Sequence, residues 1–330
     1  AATLHRRVAQ REATWGAVRP IARSLLDAAL AVAAATSPAS RRLAYVVLLY
    51  GGGWAKLLGR LVGRLKQLDV RQPLLVIAIG PEAASACRAL ALGVAKAREG
   101  GERPHDVVCW TPETSSQVHR FTGIHAMLHL GVDVIYMDMD TFLLRDPTQR
   151  ILASADGWDA LFARHADADC INIGIFFLRS SSRTAVWMSQ FLAWYHDHPF
   201  EIDQRGLHVF LRIPSKQMQI AYPPEDLVQL RGGVLEDVNE VVIGDVNWAG
   251  ILPRMLIFHW CHRPLALKEQ EINAAYDAAD VLQPHGLPLS LALSLAHAAA
   301  PDSAWHKVLN FRVILESYQS ATPPERTACW

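Results

Sequence analysis

Residues 134–147 read VIYMDMDTFLLRDP, an apolar run closed by Asp138 and Asp140 with one Met between them. Carboxylates seldom enter a protein interior unless they are paired or hold a cation. The stretch therefore calls for positive charge nearby. On a strand, residues two apart share a face. Both acids are expected on one strand, their α-carbons roughly 6–7 Å apart, with Met139 turned the other way. That spacing suits one shared ion. Hard carboxylate oxygens favour Mg²⁺ or Mn²⁺ and leave coordination positions for water or phosphate oxygens. The plainer reading is that the strand has ended and the acids sit solvated in the following turn.

A second chemistry fits the same letters. Asp138 could accept a phosphoryl group while Asp140 acts as general acid. The run Asp138-Met139-Asp140, followed by Thr141, resembles the Asp-x-Asp motif of the haloacid-dehalogenase-like phosphatases, and VIGDVN (242–247) resembles their later Gly-Asp motif. Two departures count against it. The motif lies far from the chain start, and Asn247 stands where a second metal-binding acid is expected. A third ligand for a metal is His259, which ends the apolar run MLIFHW, with His262 in reserve. An imidazole ligand would favour Mn²⁺ over Mg²⁺; the competing reading is a core or capping histidine. His125 and His129 have the four-residue spacing of zinc-binding histidines, but the metalloprotease Glu after the first is missing, so packing or surface is expected. Trp187, Phe191 and Trp194 recur at helical spacing and read as core, and His196 and His198 read as a helix-end loop.

These residues need a scaffold. LAYVVLLY from residue 43, PLLVIAIG, HDVVCW and VDVIYMDMD read as strands. Between them, WAKLLGRLVGRLKQL, PEAASACRALALGVAKA and SQVHRFTGIHAMLHLG read as helices. Alternation of this kind builds a mostly parallel α/β sheet with helices on both faces. Ligands gather at the carboxyl ends of such strands, which is where Asp138 and Asp140 fall. Farther on, CINIGIFFLRS reads as a strand, RTAVWMSQFLAWYHDH and DQRGLHVFLRI as helices, and VVIGDV and RMLIFHW as strands. Beyond about residue 265 the chain is Ala- and Leu-rich and reads as helical.

Bulk composition excludes several classes. Of 330 residues, 51% are apolar, enough for a sizeable core, and 32 basic residues balance 32 acidic ones. No global basic field collects nucleic acid. The 5 cysteines contain no CxxC pair, which argues against a zinc ribbon, and their spacing does not reveal a disulfide pattern. The stretch IARSLLDAALAVAAAT (21–36) carries Arg23 and Asp27 and is too short to span a bilayer. It reads as an amphipathic helix. The first residue is Ala, which reads as a processed or trimmed start, so a membrane anchor is expected only upstream.

Several segments, in order, resemble the GT-A type nucleotide-diphospho-sugar transferases, in particular the plant and algal arabinosyl-, xylosyl- and galactosyltransferase family. They are LHLGVDVIYMDMDTFLLRDP, INIGIFFLRSS, EIDQRGLHVFL and FHWCHRPLALK. The resemblance implies a GT-A-like fold and metal-dependent sugar transfer from a UDP donor, with retention at the anomeric carbon, to a glycan or glycoprotein acceptor. It implies Mn²⁺, or Mg²⁺, on Asp138, Asp140 and His259. Arg120 would face the diphosphate, and Asp138 would share the ion or hold the ribose. Tyr50 and Gly51 would receive the uridine ring, Asn172 and Gly174 would line the sugar pocket, and Lys268 would match the late Lys. Asp203 and Gln204 would touch the sugar hydroxyls, with Asp203 steadying the transition state rather than bonding to the sugar; Asp203 could also cap its helix. The resemblance also implies the Golgi lumen. The expected organisation is an N-terminal helical stem (1–40), a transferase domain (41–270) and a C-terminal helical extension (271–330). A phosphatase, or a non-catalytic binding relative, is the alternative.

Overall fold

The computed structural model of the chain describes residues 23–36, 41–100, 105–164, 171–198, 203–213, 220–221 and 256–259, and the helical positions 269, 272–273, 276–277 and 280. Two compact units make up the chain. One comprises Ala1–Met139, Ala155–Leu161 and Ile175–Ala221; the other comprises Asp140–Ser154, Phe162–Gly174 and Tyr222–Trp330.

The first unit opens with α1 (Arg23–Ala35), β1 (Leu43–Tyr50), α2 (Ala55–Gln67), β2 (Leu74–Ile79), α3 (Pro81–Glu99), β3 (Val107–Trp110), α4 (His119–His129) and β4 (Asp133–Asp138). β1 and β2 are apolar and buried almost end to end, the signature of strands covered on both faces. β1 pairs in parallel with β2 on one flank and β4 on the other, and β3 continues the parallel set beyond β2. The chain continues through β5 (Thr141–Leu143), α5 (Thr148–Ser154), β6 (Ala160–Arg164), β7 (Ile171–Leu178), α6 (Ser182–Asp197), α7 (Asp203–Arg212), β8 (Ile220–Ala221) and β9 (Ile257–His259). β7 runs antiparallel to β4, and the strand order is β3-β2-β1-β4-β7-β6-β8. This is the mostly parallel α/β sheet expected from the sequence. The chain leaves β1 toward β2 and β3, then returns to the opposite flank as β4. That reversal is a topological switch point, where open α/β sheets leave a crevice beyond the strand ends. Tyr50 closes β1 and Asp138 closes β4, with Leu48 in register with Asp138.

One expectation fails here. β4 ends at Asp138, and Met139 and Asp140 form a turn, so the two acids do not share a strand face. The chain turns at Asp140 because β5 takes a different partner, β9, in the second unit. There Thr141 faces His259 and Leu143 faces Ile257 in an antiparallel pair, extended by the Leu144 amide donating to the Leu256 carbonyl at 2.8 Å. Phe142 packs edge-on against Tyr276 beside it.

Helix packing follows the apolar spacing. Leu57, Leu58, Leu61, Val62 and Leu65 form the buried stripe of α2. α1 buries Leu25, Ala28, Ala29, Val32 and Ala33 against β3 and α4. No helix among the described residues is long and apolar enough to cross a membrane. On α4, a Cβ on Gly123 would lie 2.5 Å from Ile77 Cδ1, so glycine lets this helix settle onto β2. The aromatic stripe of α6 is core, as the spacing predicts. Phe191 meets Phe121 of α4 and Phe210 of α7, and Trp187 stacks on Phe191.

A polar knot interrupts that apolar interface. His125 Nε2 lies 2.6 Å from Ser189 Oγ and 2.6 Å from His129 Nε2, all three residues buried. Burial, with the neighbouring His129 second, pushes the His125 ring down to about 3. The histidine pair therefore packs helices, as its spacing without a metalloprotease Glu suggested. A folded-state value below the ordinary value of about 6.5 means that the unfolded chain takes up the proton first as pH falls. The stability held above pH ~6.5 is then lost on acidification at up to about 1.4 kcal/mol per pH unit. Thermal denaturation between pH 7 and 5 is expected to show this loss, and His125→Gln to flatten it.

A disulfide, Cys87–Cys109, ties α3 to the outer strand β3. Closing a loop of this length stabilises by about 2–4 kcal/mol. Non-reducing peptide mapping should recover the linked peptides, and Cys109→Ser should lower the melting temperature by an amount that reductant reproduces in the parent protein.

Candidate functional site

Within the first unit, four expected or neighbouring residues converge. β4 carries Tyr136 and Asp138 on one face, two residues apart. α4 contributes Arg120 from its first turn, and α7 contributes Asp203 as its first residue. The Tyr136 hydroxyl donates to Asp138 Oδ1 at 2.6 Å, and Arg120 donates to the same oxygen at 3.1 Å. The other edge of the guanidinium, Nε, lies 2.8 Å from Asp203 Oδ2. Its Cζ sits 5.1 Å from the centre of the Tyr136 ring, within cation–π range. Arg120, expected on a diphosphate, is thus seated between two carboxylates.

Burial grades these groups. The Asp138 side chain retains 29% of its surface, whereas Arg120 retains 7% and Asp203 3%. Burial raises the Asp203 carboxyl above the ordinary range, and the Arg120 charge opposes that shift. Burial likewise holds the Tyr136 phenol well above its usual value, again against Arg120. It therefore stays protonated and able to donate. The backbone amide at Gln204, at the start of α7, opposes the upward shift of Asp203 as well.

At the open end of β1, Tyr50 is 48% exposed although the rest of the strand is buried. Gly51 follows with φ +72°, a left-handed conformation that favours glycine.

The second unit assembles the other expected residues. Asp140 Oδ1 stands 3.2 Å from His259 Nε2, both side chains nearly buried. The β5–β9 register explains the meeting, since Thr141 pairs with His259 and places Asp140 beside the imidazole. Gly174 abuts the same ring. A Cβ there would overlap His259 Cε1 and come within 2.7 Å of Nε2. Asn172 folds back to accept from the Gly174 amide at 2.7 Å. These two residues, expected in a sugar pocket, here shape the seat of His259. Lys268, His262 and the segment 242–247 lie outside the described residues.

Sequence reasoning missed Tyr136. Alternation would have found it, because a residue two before Asp138 on a strand shares its face.

The sequence model of the family described as nucleotide-diphospho-sugar transferase matches residues 70–249. No curated protein matches the chain by sequence. Among solved structures, the glycosyltransferase GlyE of Streptococcus pneumoniae TIGR4 is similar at 14% identity and TM-score 0.49, over 84% of this chain and 64% of that one. The chain thus spans under two thirds of that protein. A glycosyltransferase involved in glycosylation of the major capsid of PBCV-1 is similar at 11% identity and TM-score 0.38, over 70% of this chain and 98% of that one. The galactosyltransferase LgtC, in complex with donor and acceptor sugar analogs, is similar at 13% identity and TM-score 0.41, over 70% of this chain and 95% of that one.

The close approach at Gly174 is directly testable. Gly174→Ala must push His259 away from Asp140, at an overpacking cost of about 1–3 kcal/mol. A histidine ring resonance that shifts on the wild-type protein when Asp140 is changed to Asn should no longer respond in the Gly174→Ala background.

Proposed function

The chain belongs to the nucleotide-diphospho-sugar transferase family, a glycosyltransferase by that membership, and from this we propose that it moves a sugar from a UDP donor to a hydroxyl of a glycan or protein, with retention at the anomeric carbon. The observation that carries the reading is the Asp140–His259 pair, formed just after the strand end where an α/β sheet leaves room for ligands.

A divalent ion fits the residues. Asp140 and His259 offer a carboxylate and an imidazole within the second unit, donors suited to Mn²⁺, with Mg²⁺ second. Gly174 keeps the imidazole in place. Asp140 and His259 would hold the ion directly, and Asp138 would share it or hold the ribose. When bound, such an ion stabilises the charge gathering on the leaving diphosphate, an effect worth several kcal/mol.

The chain's own groups do the rest. Tyr50 and Gly51, at the open end of β1, receive the uracil ring. Gln204 contacts a hydroxyl of the donor sugar, and Asp203, held by Arg120, contributes negative charge as the anomeric carbon becomes cationic. Asn172 and Gly174 border the sugar through the seat of His259, and Lys268 is assigned to the diphosphate. The bond from the anomeric carbon to the diphosphate breaks while the acceptor oxygen bonds on the same face. The acceptor proton passes to the departing phosphate oxygen, so no protein nucleophile is required. Asp203, 3% exposed and paired with Arg120, is consistent with that electrostatic role.

The transferase domain is assigned to 41–270, enclosing the family match, with extensions at 1–40 and 271–330. The segments described above favour the arabinosyl-, xylosyl- and galactosyltransferase branch. The Cys87–Cys109 disulfide favours an oxidising compartment, in line with the Golgi lumen.

UDP and Mn²⁺ together should raise the melting temperature of the wild-type protein, while either alone does little. Asp140→Ala should keep the fold and lose the joint effect. Undiminished Mn²⁺-dependent UDP stabilisation in that variant would remove Asp140 from the site.

A further inference from the structure

We propose that Tyr136 is a positioning residue for Asp138, fixing its carboxylate for the divalent ion and nucleotide from a place no ligand touches. The inference rests on the transferase reading above. Tyr136 is fully buried, and its ring stacks on Phe176 at 4.9 Å. Phe176 in turn stacks on Phe121. The ring is therefore held by Phe176 and by the Arg120 guanidinium over its face, and the hydroxyl reaches Asp138. It donates to Asp138 Oδ1 at 2.6 Å.

A carboxylate at a strand end is free to turn about two side-chain bonds. Two donors on one oxygen, the Tyr136 hydroxyl and the Arg120 guanidinium at 3.1 Å, remove that freedom. The Asp138 side chain still reaches solvent over 29% of its surface, so the fixed group is presented outward. Arg120 cannot do this alone, because its Nε is engaged with Asp203 and the guanidinium is planar and rigid. Groups that orient metal ligands in this way typically set metal affinity by a factor of about 10–100.

Tyr136→Phe removes one oxygen atom and keeps the stacked ring. In the presence of UDP, Mn²⁺ binding is read from the loss of the free-ion electron paramagnetic resonance signal. The variant should melt close to the wild-type temperature and bind Mn²⁺ about 10–100-fold more weakly. Turnover of UDP-sugar should recover at saturating Mn²⁺, raising the Mn²⁺ requirement while leaving kcat near that of the wild type. A purely packing role would leave the Mn²⁺ requirement unmoved. Unchanged Mn²⁺ affinity in Tyr136→Phe, with wild-type protein binding Mn²⁺ and UDP, overturns this proposal and leaves the transferase reading standing. Failure of the wild-type protein to bind Mn²⁺ with UDP overturns both. If Tyr136→Phe does not fold, Asp138→Asn decides: Mn²⁺ affinity as strong as wild type in that variant takes Asp138 off the ion, leaves Tyr136 nothing to position, and overturns the proposal.

Discussion

The first unit is organised around a charge that has to be neutralised indoors. Asp138 and Asp203 come from different elements, β4 and α7, and both face Arg120 on α4. A lone buried carboxylate is costly, and breaking a buried ion pair by removing one partner typically costs about 3–5 kcal/mol. The three elements are therefore tied to one another by electrostatics as well as by the aromatic packing of Phe121, Phe176, Phe191 and Phe210.

The second unit solves a different problem, that of bringing an acid and an imidazole together across a long stretch of sequence. A two-stranded pair of three residues on each side is enough to do so, because register alone fixes who meets whom. With Thr141 opposite His259, Asp140 has little choice of neighbour. The absence of a side chain at Gly174 completes the arrangement: any larger residue would occupy the imidazole's own volume.

How much of this could be read from the letters depends on the range of the interaction. β1, β2 and β4, and the helices between them, were legible because apolar runs and helical spacing are local signals. The α6 stripe and the packing role of His125 and His129 were legible for the same reason. The switch point was not, because it depends on β4 pairing with β1 rather than with β3. The path at Asp140 was not, because continuation of β4 and a turn into β5 look alike until β9 is known. The Cys87–Cys109 pairing was not legible either, since it depends on where α3 falls against β3. The partners of Arg120 were not legible, because Asp203 lies far away in sequence. Tyr136, two residues before Asp138, reads in the sequence as one more position of an apolar strand. Its ring does serve the core, and only the hydroxyl serves the site.

The identity of residue 120 follows from the number of partners it must satisfy. A lysine presents one compact ammonium group, strongly hydrated and without a fixed direction. It could neutralise Asp138 or Asp203, but its charge is a single point. Arginine spreads its charge over a plane, and the two carboxylates lie against two of its nitrogens, Asp138 through a hydrogen bond and Asp203 as an ion pair. The flat face is then available to the Tyr136 ring. Arg120, Tyr136, Asp138 and Asp203 thus form one mechanical unit, in which moving either acid must move the other through a rigid fork. The positions of Asp138 and Asp203 are thus linked through one side chain.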